Sequence, residues 1–463
     1  PFFVNLKGEV SVKERKMAAR EKEYKKILTK ADQGIYVYIP IEIDDDVERM
    51  EIHYDYTPWQ PKGSAWKNDV DVIVLDEKGN DVGTRGSVIR DITISPYYST
   101  PGFDTRKINK GTWNVVVLPA RMISEEVDFS LKIKTFTKEK RWYKGETHCH
   151  THNSDGNLSY DQLIKKAKKT GLDFMFITDH NRTILHLPKS LDYLTVIPGV
   201  ELTYVNGHSN VWGLQVPYTG TFVTNEQQGY LDKKAEAESK GALVSINHPH
   251  CSKCGWHWPL DNFDFDCVEI WNGPMRLDNM KTIEWWDNEL KKGRHLSAVG
   301  GSDFHRDYYI VPLFAMPTTH VLSDGREPED IMKGIKEGRT TMTCFPSSTF
   351  IDMNVGEAVI GDTVELKEGI KVSVKVKGLK RGHVLRVLDQ DGEIYTHKAK
   401  CMEDHVAEIP IRSKGYVRAE VVYKYKGILK ILYNIGLKFF MPEQAFKETP
   451  PMVFAICSPI WFN

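Results

Sequence analysis

LDFMFITDHN, residues 172–181, reads as a buried strand that stops on a polar cluster. Four apolar residues in a row, Phe174 to Ile177, leave no solvent-facing side, the pattern of a strand covered on both faces. The same event recurs along the chain. LTVIPGVE (194–201) ends on Glu201, HSNVWGL (208–214) begins on His208, and GALVSINHPH (241–250) ends on His248 and His250. CVEIWNG (267–273) ends at Asn272, and HLSAVGGSDFH (295–305) ends on Asp303 and His305. Helical segments intervene: one opened by a Ser159–Gln162 capping box and closed by Gly171, others at 226–240 and 278–292. Strand–helix alternation predicts a parallel sheet or barrel, and barrels of this kind build their sites where strands end.

Upstream lies GETHCHTHNSDG, residues 145–156. On an extended strand, residues i and i+2 share a face, so His148 and His150 converge while Cys149 points away. Asp155 follows closely. Eleven of the sixteen histidines lie between His148 and His305, which asks for a local chemical cause. His148, His150, Asp155, His180, Glu201, His208, His248, Asp303 and His305 form the candidate ligand set. Any one of them alone is best read as a satisfied polar residue. Nine at strand ends make a metal centre. One zinc site needs three or four protein ligands, so nine can hold two or three divalent ions. Nitrogen and oxygen donors without thiolate suit Zn, Mn or Fe. Clustered ions bring the pKa of bound water toward ~7 and clamp the oxygens of an in-line displacement.

The neighbours of these ligands divide into further roles. Asp179 reads as a carboxylate that orients an imidazole, with direct ligation the alternative. His250 is either a proton donor to the leaving group or a surface histidine. Asn272, Arg276 and Arg306 are candidates for holding substrate, the arginines through bidentate contacts to phosphate. Cys251 and Cys254 form a CSKC read first as structural thiols, then as a secondary metal clip, and last as a redox pair. Trp256, Trp258 and Trp271 either wall the site or pack in a core.

The 463 residues allow several domains and a large core. Net charge is −1, which gives no global attraction to nucleic acid or anionic membrane. No apolar run is long enough to span a bilayer. The absence of a signal-peptide pattern and an odd set of seven cysteines without disulfide spacing point to a reducing, cytoplasmic compartment. The expected partner of the metal site is a small-molecule substrate. Residues 1–32 read as an N-terminal helical extension, with Met17, Tyr24, Ile27 and Leu28 on one side of an amphipathic helix. Residues 33–137 carry six short strand patterns and read as a β-sandwich. Residues 138–345 are the barrel. Residues 346–463 return to strand patterning and read as a small C-terminal β-domain, interrupted by an amphipathic segment at 427–441.

GETHCHTHNSDG, FITDHN, IPGVE, GHSN, NHPH and GGSDFH resemble the PHP (polymerase and histidinol phosphatase) superfamily. WNGP and EWWDNELKKG, with RGS, TPGF and GTW in the N-terminal region, resemble its CehA/McbA group. The resemblance implies an α/β fold, a distorted (β/α)7 barrel, with three metal ions. It implies His148, His150, Asp303 and a bridging Glu201 on one ion, His208 and His248 on a second, and Asp155, His180 and His305 on a third. It implies a phosphoesterase that applies metal-activated hydroxide to a phosphomonoester or small phosphodiester. The alternative is hydrolysis of a carboxylic ester, carbamate or amide at the same site.

Overall fold

The computed structural model describes residues 19–44, 47–86, 89–96, 98–182, 193–307, 313–440, 442, 444–446 and 448–463. The chain divides into two compact units, at Glu139 and Lys140.

The first unit contains two four-stranded antiparallel sheets. Ala19–Thr29, Glu126–Thr137, Val47–Thr57 and Asp91–Ile94 make one; Val37–Ile43, Gly111–Arg121, Asp69–Leu75 and Asp81–Arg85 make the other. Alternation is clean: Val70, Val72 and Val74 are buried while their neighbours are partly exposed. Such a pattern suits a sheet with one face on a core, and Leu28, Tyr54, Trp113 and Leu131 from both sheets share that core.

Ala19–Thr29 corrects the helical reading of residues 1–32. It is a strand paired residue for residue with Glu126–Thr137; positions 1–18 lie outside the described residues. Tyr24 and Leu28 are four apart, which satisfies a helix and a strand alike. Leu28 is buried whereas Ile27, beside it, is 55% exposed. Adjacent residues on opposite faces are the mark of period two.

The second unit is built on one long mixed sheet. Its path runs from Ser297–Gly301 through Cys267–Asn272, Leu243–Ile246, Gly207–Trp212, Thr195–Tyr204, Phe174–Ile177 and Arg141–Glu146. It continues through Thr318–Ser323, Thr340–Thr343, Met452–Cys457, Gly415–Tyr423, Val384–Asp389 and Gly392–Lys398. The sheet curls back on itself: Cys149 bridges to Phe304, Thr147 Oγ1 donates to Gly300 O, and Thr340 Oγ1 donates to Ala298 O.

The barrel region, expected as a distorted (β/α)7 barrel, is a mixed α/β arrangement with many strands and few helices. Four helices, Tyr160–Thr170, Gln227–Ser239, Leu277–Lys291 and Pro328–Lys336, serve the barrel region among the described residues. Thr195–Tyr204 and Gly207–Trp212 are antiparallel neighbours. Only Val205 and Asn206 join them, and a parallel crossover needs a dozen residues or more. The parallel segments that remain, around Phe174–Ile177 and from Leu243 to Gly301, carry the strand ends of interest. The first helix has its Ser159–Gln162 capping box and ends on Gly171 in the left-handed conformation.

Residues 346–463 do not stand apart as a domain. Their strands at 415–423 and 452–457 continue the central sheet, and Phe350–Val355, Lys371–Leu379 and Glu403–Pro410 form a second sheet in the same compact unit. Residues 427–440 are a helix. No helix among the described residues is long and apolar enough to cross a membrane.

Candidate metal centre

The apolar strands end together, and their polar termini meet. His148 and His150 follow Arg141–Glu146 with ring centroids 5.1 Å apart, while the Cys149 thiol turns away to Phe176 O. Glu201, fully buried near the end of its strand, lies at the middle of the cluster. Its oxygens are 3.3 Å from His148 Nε2, 3.4 Å from His150 Nε2 and 2.8 Å from His180 Nδ1. They are 3.2 Å from His208 Nδ1 and 3.5 Å from His248 Nε2. Asp303 Oδ1 lies 3.1 Å from His150 Nε2 and 3.5 Å from His148 Nε2. Asp155 approaches from the other side, 3.2 Å from His305 Nε2 and 3.6 Å from His180 Nε2. All nine candidate ligands are therefore in one place.

Their donor atoms fall into overlapping groups small enough to hold an ion. These are His148–His150–Glu201, His180–Glu201–His208, and His150–Asp155–His180–His305. Buried polar atoms without a hydrogen-bond partner fit that role: His148 Nε2 and His150 Nδ1 have none. An orphaned donor or acceptor costs about 1–3 kcal/mol, and a bound cation would remove that cost. The donor set contains imidazole and carboxylate only, which suits Zn, Mn or Fe. His180 and His208 group around Glu201, and His248 faces the same carboxylate through Nε2 while its Nδ1 lies toward the Cys254 thiol.

Electrostatics keeps the carboxylates charged. Burial alone would push Glu201 up, but His148, His180 and His208 outweigh it and hold the carboxyl well below its usual range. Asp303 is likewise opposed by burial and lowered by His148, His150 and His305. Burial depresses His150, whose neutral form is the one that ligates. The cluster is closed on the His148 side and open on the Asp155 side. His148 and His150 are fully buried, whereas the Asp155 side chain is 56% exposed.

Backbone geometry aims these groups. Asn181, His248 and Asp303 have φ of 47°, 29° and 50° at three strand ends. Left-handed conformations of non-glycine residues cost roughly 1–3 kcal/mol and concentrate at functional sites. Here they turn the chain sharply just after a buried strand.

Two further candidates lie away from the ligands. His250 reads from the sequence as either a proton donor to the leaving group or a surface histidine. The φ of His248 breaks the alternation, and the His250 ring meets Thr282 Oγ1 at 3.2 Å and Trp285. No contact joins it to the nine ligands among the described residues, and burial lowers its pKa. Arg276 was expected to grip substrate. Its guanidinium is buried and donates to Asn272 Oδ1 at 2.8 Å, to the Asn272 carbonyl and to Pro274 O. It braces the 272–276 loop. Asn272 does face the centre: Nδ2 donates to Asp303 Oδ2 at 3.4 Å and to Glu269 Oε2 at 3.1 Å. Arg306 is exposed next to His305.

Asp179 is buried and orients a loop rather than an imidazole. It accepts from Thr151 N and Thr151 Oγ1, both at 2.7 Å, and from Ser154 Oγ at 2.8 Å. It thus fixes the segment between His150 and Asp155.

The tryptophans pack in the core. Trp271 is fully buried and donates to Gly273 O; Trp256 and Trp258 sit among Tyr204, Tyr230 and Phe263.

Two carboxylates escape a sequence reading. Glu269 lies 3.0 Å from His148 Nδ1 and accepts from His248 N at 3.1 Å. Glu146 is wholly buried and accepts from His148 N, Ser302 N and Ala315 N at 2.8–3.0 Å. Burial raises it to about 7 against those donors. The signal for Glu269 was present: a lone acid inside CVEIW is expensive to bury unpaired.

No family model and no curated protein matches the chain. Among solved structures it is similar to a two-domain protein from Bacteroides vulgatus containing a predicted PHP-like metal-dependent phosphoesterase. The identity is 19%, the TM-score 0.39, and the match covers 60% of this chain and 90% of that one. It is also similar to an amidohydrolase from Chromobacterium violaceum, at 14% identity and a TM-score of 0.25, over 37% of this chain and 93% of that one. At these TM-scores the likenesses are partial, and the reading of the site rests on its own geometry.

Proposed function

We propose that the protein is a metal-dependent hydrolase of PHP type, a phosphoesterase acting on a phosphomonoester or small phosphodiester. The observation that carries this reading is Glu201, one buried carboxylate within 3.5 Å of five imidazoles. A carboxylate so surrounded would suit a ligand shared between cations, and two or three divalent ions would fit the donor set.

His148, His150, Glu201 and Asp303 would hold one ion. His180 and His208 share Glu201 for a second, and Asp155, His180 and His305 form the outer set. Ions in these positions supply an activated water near neutral pH and neutralise the charge that builds on phosphoryl oxygens. The chain's own part is to bind, orient and exclude. Substrate enters on the Asp155 side, since the His148 side is closed by core. Asn272 Nδ2, already directed at Asp303, is placed to donate to a substrate oxygen. Arg306 is exposed next to His305, where a guanidinium can meet an incoming phosphate; Arg276 is held by its own loop.

The alternative at the same metal site is hydrolysis of a carboxylic ester, carbamate or amide. Trp256 and Trp271, which could have offered an apolar acyl pocket, are buried in the core. The test is a side-by-side assay of purified protein loaded with zinc, manganese or iron(II), on nitrophenyl phosphate, bis-nitrophenyl phosphate and nitrophenyl acetate. Turnover of a phosphate substrate that Glu201→Gln abolishes supports the reading. Full metal occupancy with turnover of the acetate alone refutes it.

A further inference from the structure

The turn that follows His248, PHCSKCGW (249–256), is used by none of the chemistry above. Cys251 N donates to His248 O and Trp256 N to Pro249 O, both at 2.8 Å, so the segment doubles back on itself. Gly255 permits this, because a Cβ there would stand 2.4 Å from the Cys251 carbonyl oxygen. The fold brings Cys251 Sγ to 2.8 Å from Cys254 Sγ, and Cys254 Sγ to 3.7 Å from His248 Nδ1. Ser252 pins the turn to the helix Leu277–Lys291 through Asp278 Oδ2, which also accepts from Gln444 Nε2 at 2.7 Å. Both thiols are half-buried, and the other cysteines lie elsewhere.

His248 is the hinge between two donor sets. Its Nε2 looks toward Glu201, and its Nδ1 looks toward the thiols. Two thiolates and an imidazole within 4.8 Å of one another form a soft set, unlike the nitrogen–oxygen set beside it.

We propose that Cys251, Cys254 and His248 Nδ1 form a separate site for a thiophilic divalent ion of the zinc type. Two thiolates on one tetrahedral zinc, each ~2.3 Å from the ion, sit about 3.8 Å apart. From 2.8 Å the sulfurs must part by about 1 Å, a side-chain rotation available in a half-buried turn. Binding releases the thiol protons to solvent, and solvent takes the fourth position. The site shares only His248 with the hydrolytic centre, and it exists whether or not that centre cleaves phosphate.

The test is a titration of the reduced full chain with cobalt(II), read by the thiolate-to-cobalt charge-transfer band in the near ultraviolet. The band is expected in the native chain and in the His148→Ala/His150→Ala variant. It is expected to vanish in Cys251→Ser/Cys254→Ser, together with one equivalent of bound metal. A second measurement needs no variant. Saturating zinc should protect Cys251 and Cys254 from iodoacetamide, mapped by peptide mass spectrometry, while exposed Cys401 reacts throughout. Absence of the band with both thiols shown to be reduced, or alkylation of both at saturating zinc, overturns the proposal.

Discussion

Nδ1 of His148 lies 3.0 Å from Oε1 of Glu269, and both side chains are buried. An imidazole that donates from Nδ1 presents its Nε2 lone pair on the opposite side, toward Glu201 and Asp303. Glu269 also receives His248 N and Asn272 Nδ2, so one carboxylate sets the direction of three groups. Partners of this kind typically account for 10–100-fold in metal affinity. Glu269→Gln should therefore weaken metal binding by about that factor in competition with a fluorescent chelator, with the circular dichroism spectrum unchanged. Unaltered affinity would remove Glu269 from the centre.

Metal removal should be read in stability as well as in turnover. A ligand that binds only the folded state adds ~2.7 kcal/mol at a hundred times its Kd. Dialysis against EDTA is expected to lower the melting temperature and abolish hydrolysis, and zinc or manganese should restore both. A melting temperature indifferent to chelation, in protein shown to have lost its metal, would contradict the nine-ligand reading.

Gly301 offers a lever that is not itself a ligand. A Cβ at this position would stand 2.4 Å from the His148 Cβ and 2.7 Å from Glu269 Oε1. Overpacking of this sort costs typically 1–3 kcal/mol, and here the strain falls on the His148–Glu269 pair. Gly301→Ala should lower both the denaturant midpoint and metal occupancy. A loss of stability with native occupancy would show that the strain is absorbed elsewhere.

His320 gives a pH dependence independent of the centre. It is buried beside Phe350 with Nε2 3.0 Å from Thr343 Oγ1. Burial, reinforced by Lys144, lowers its pKa to about 3. The unfolded chain takes up this proton near pH 6.5 and the folded chain does not. Stability from this group is thus complete above the unfolded value and falls as pH drops below it, by ~1.4 kcal/mol per pH unit. Between pH 6.5 and 5 the native chain should lose about 2 kcal/mol from His320. In chelated protein, denaturant titrations of His320→Gln should show a slope shallower by that amount. Parallel slopes would mean that His320 is already protonated in the fold.

What could be read from the sequence was what depends on residue type and neighbours. Buried strands ending on His, Asp and Glu are visible one segment at a time, and the structure brings those ends together. The hairpin at Val205–Asn206 was visible too, yet the barrel expectation hid it. The helix expected around Tyr24, Ile27 and Leu28 failed because a spacing of four satisfies both periods. The directions of His250 and Arg276 were not legible, since a left-handed φ at His248 and a loop folded onto Asn272 are set by tertiary contacts. Glu146 shows the limit best. Its acceptors join residues 146, 302 and 315, a closure that no local window contains.

The central sheet also sets an order of events for a chain still being made. Thr340–Thr343 pairs with Met452–Cys457, and Ser458 Oγ reaches Thr340 and Ala298, beside the strand that leads to Asp303. His148, His150 and His180 leave the ribosome long before that pairing partner does. At ~5–20 residues per second, the interval is on the order of tens of seconds. Through it the strands from Arg141 to Ser323 can already pair with one another, while Thr340–Thr343 waits for its second neighbour, so the closing strands of the central sheet are also the last part of the chain to be made.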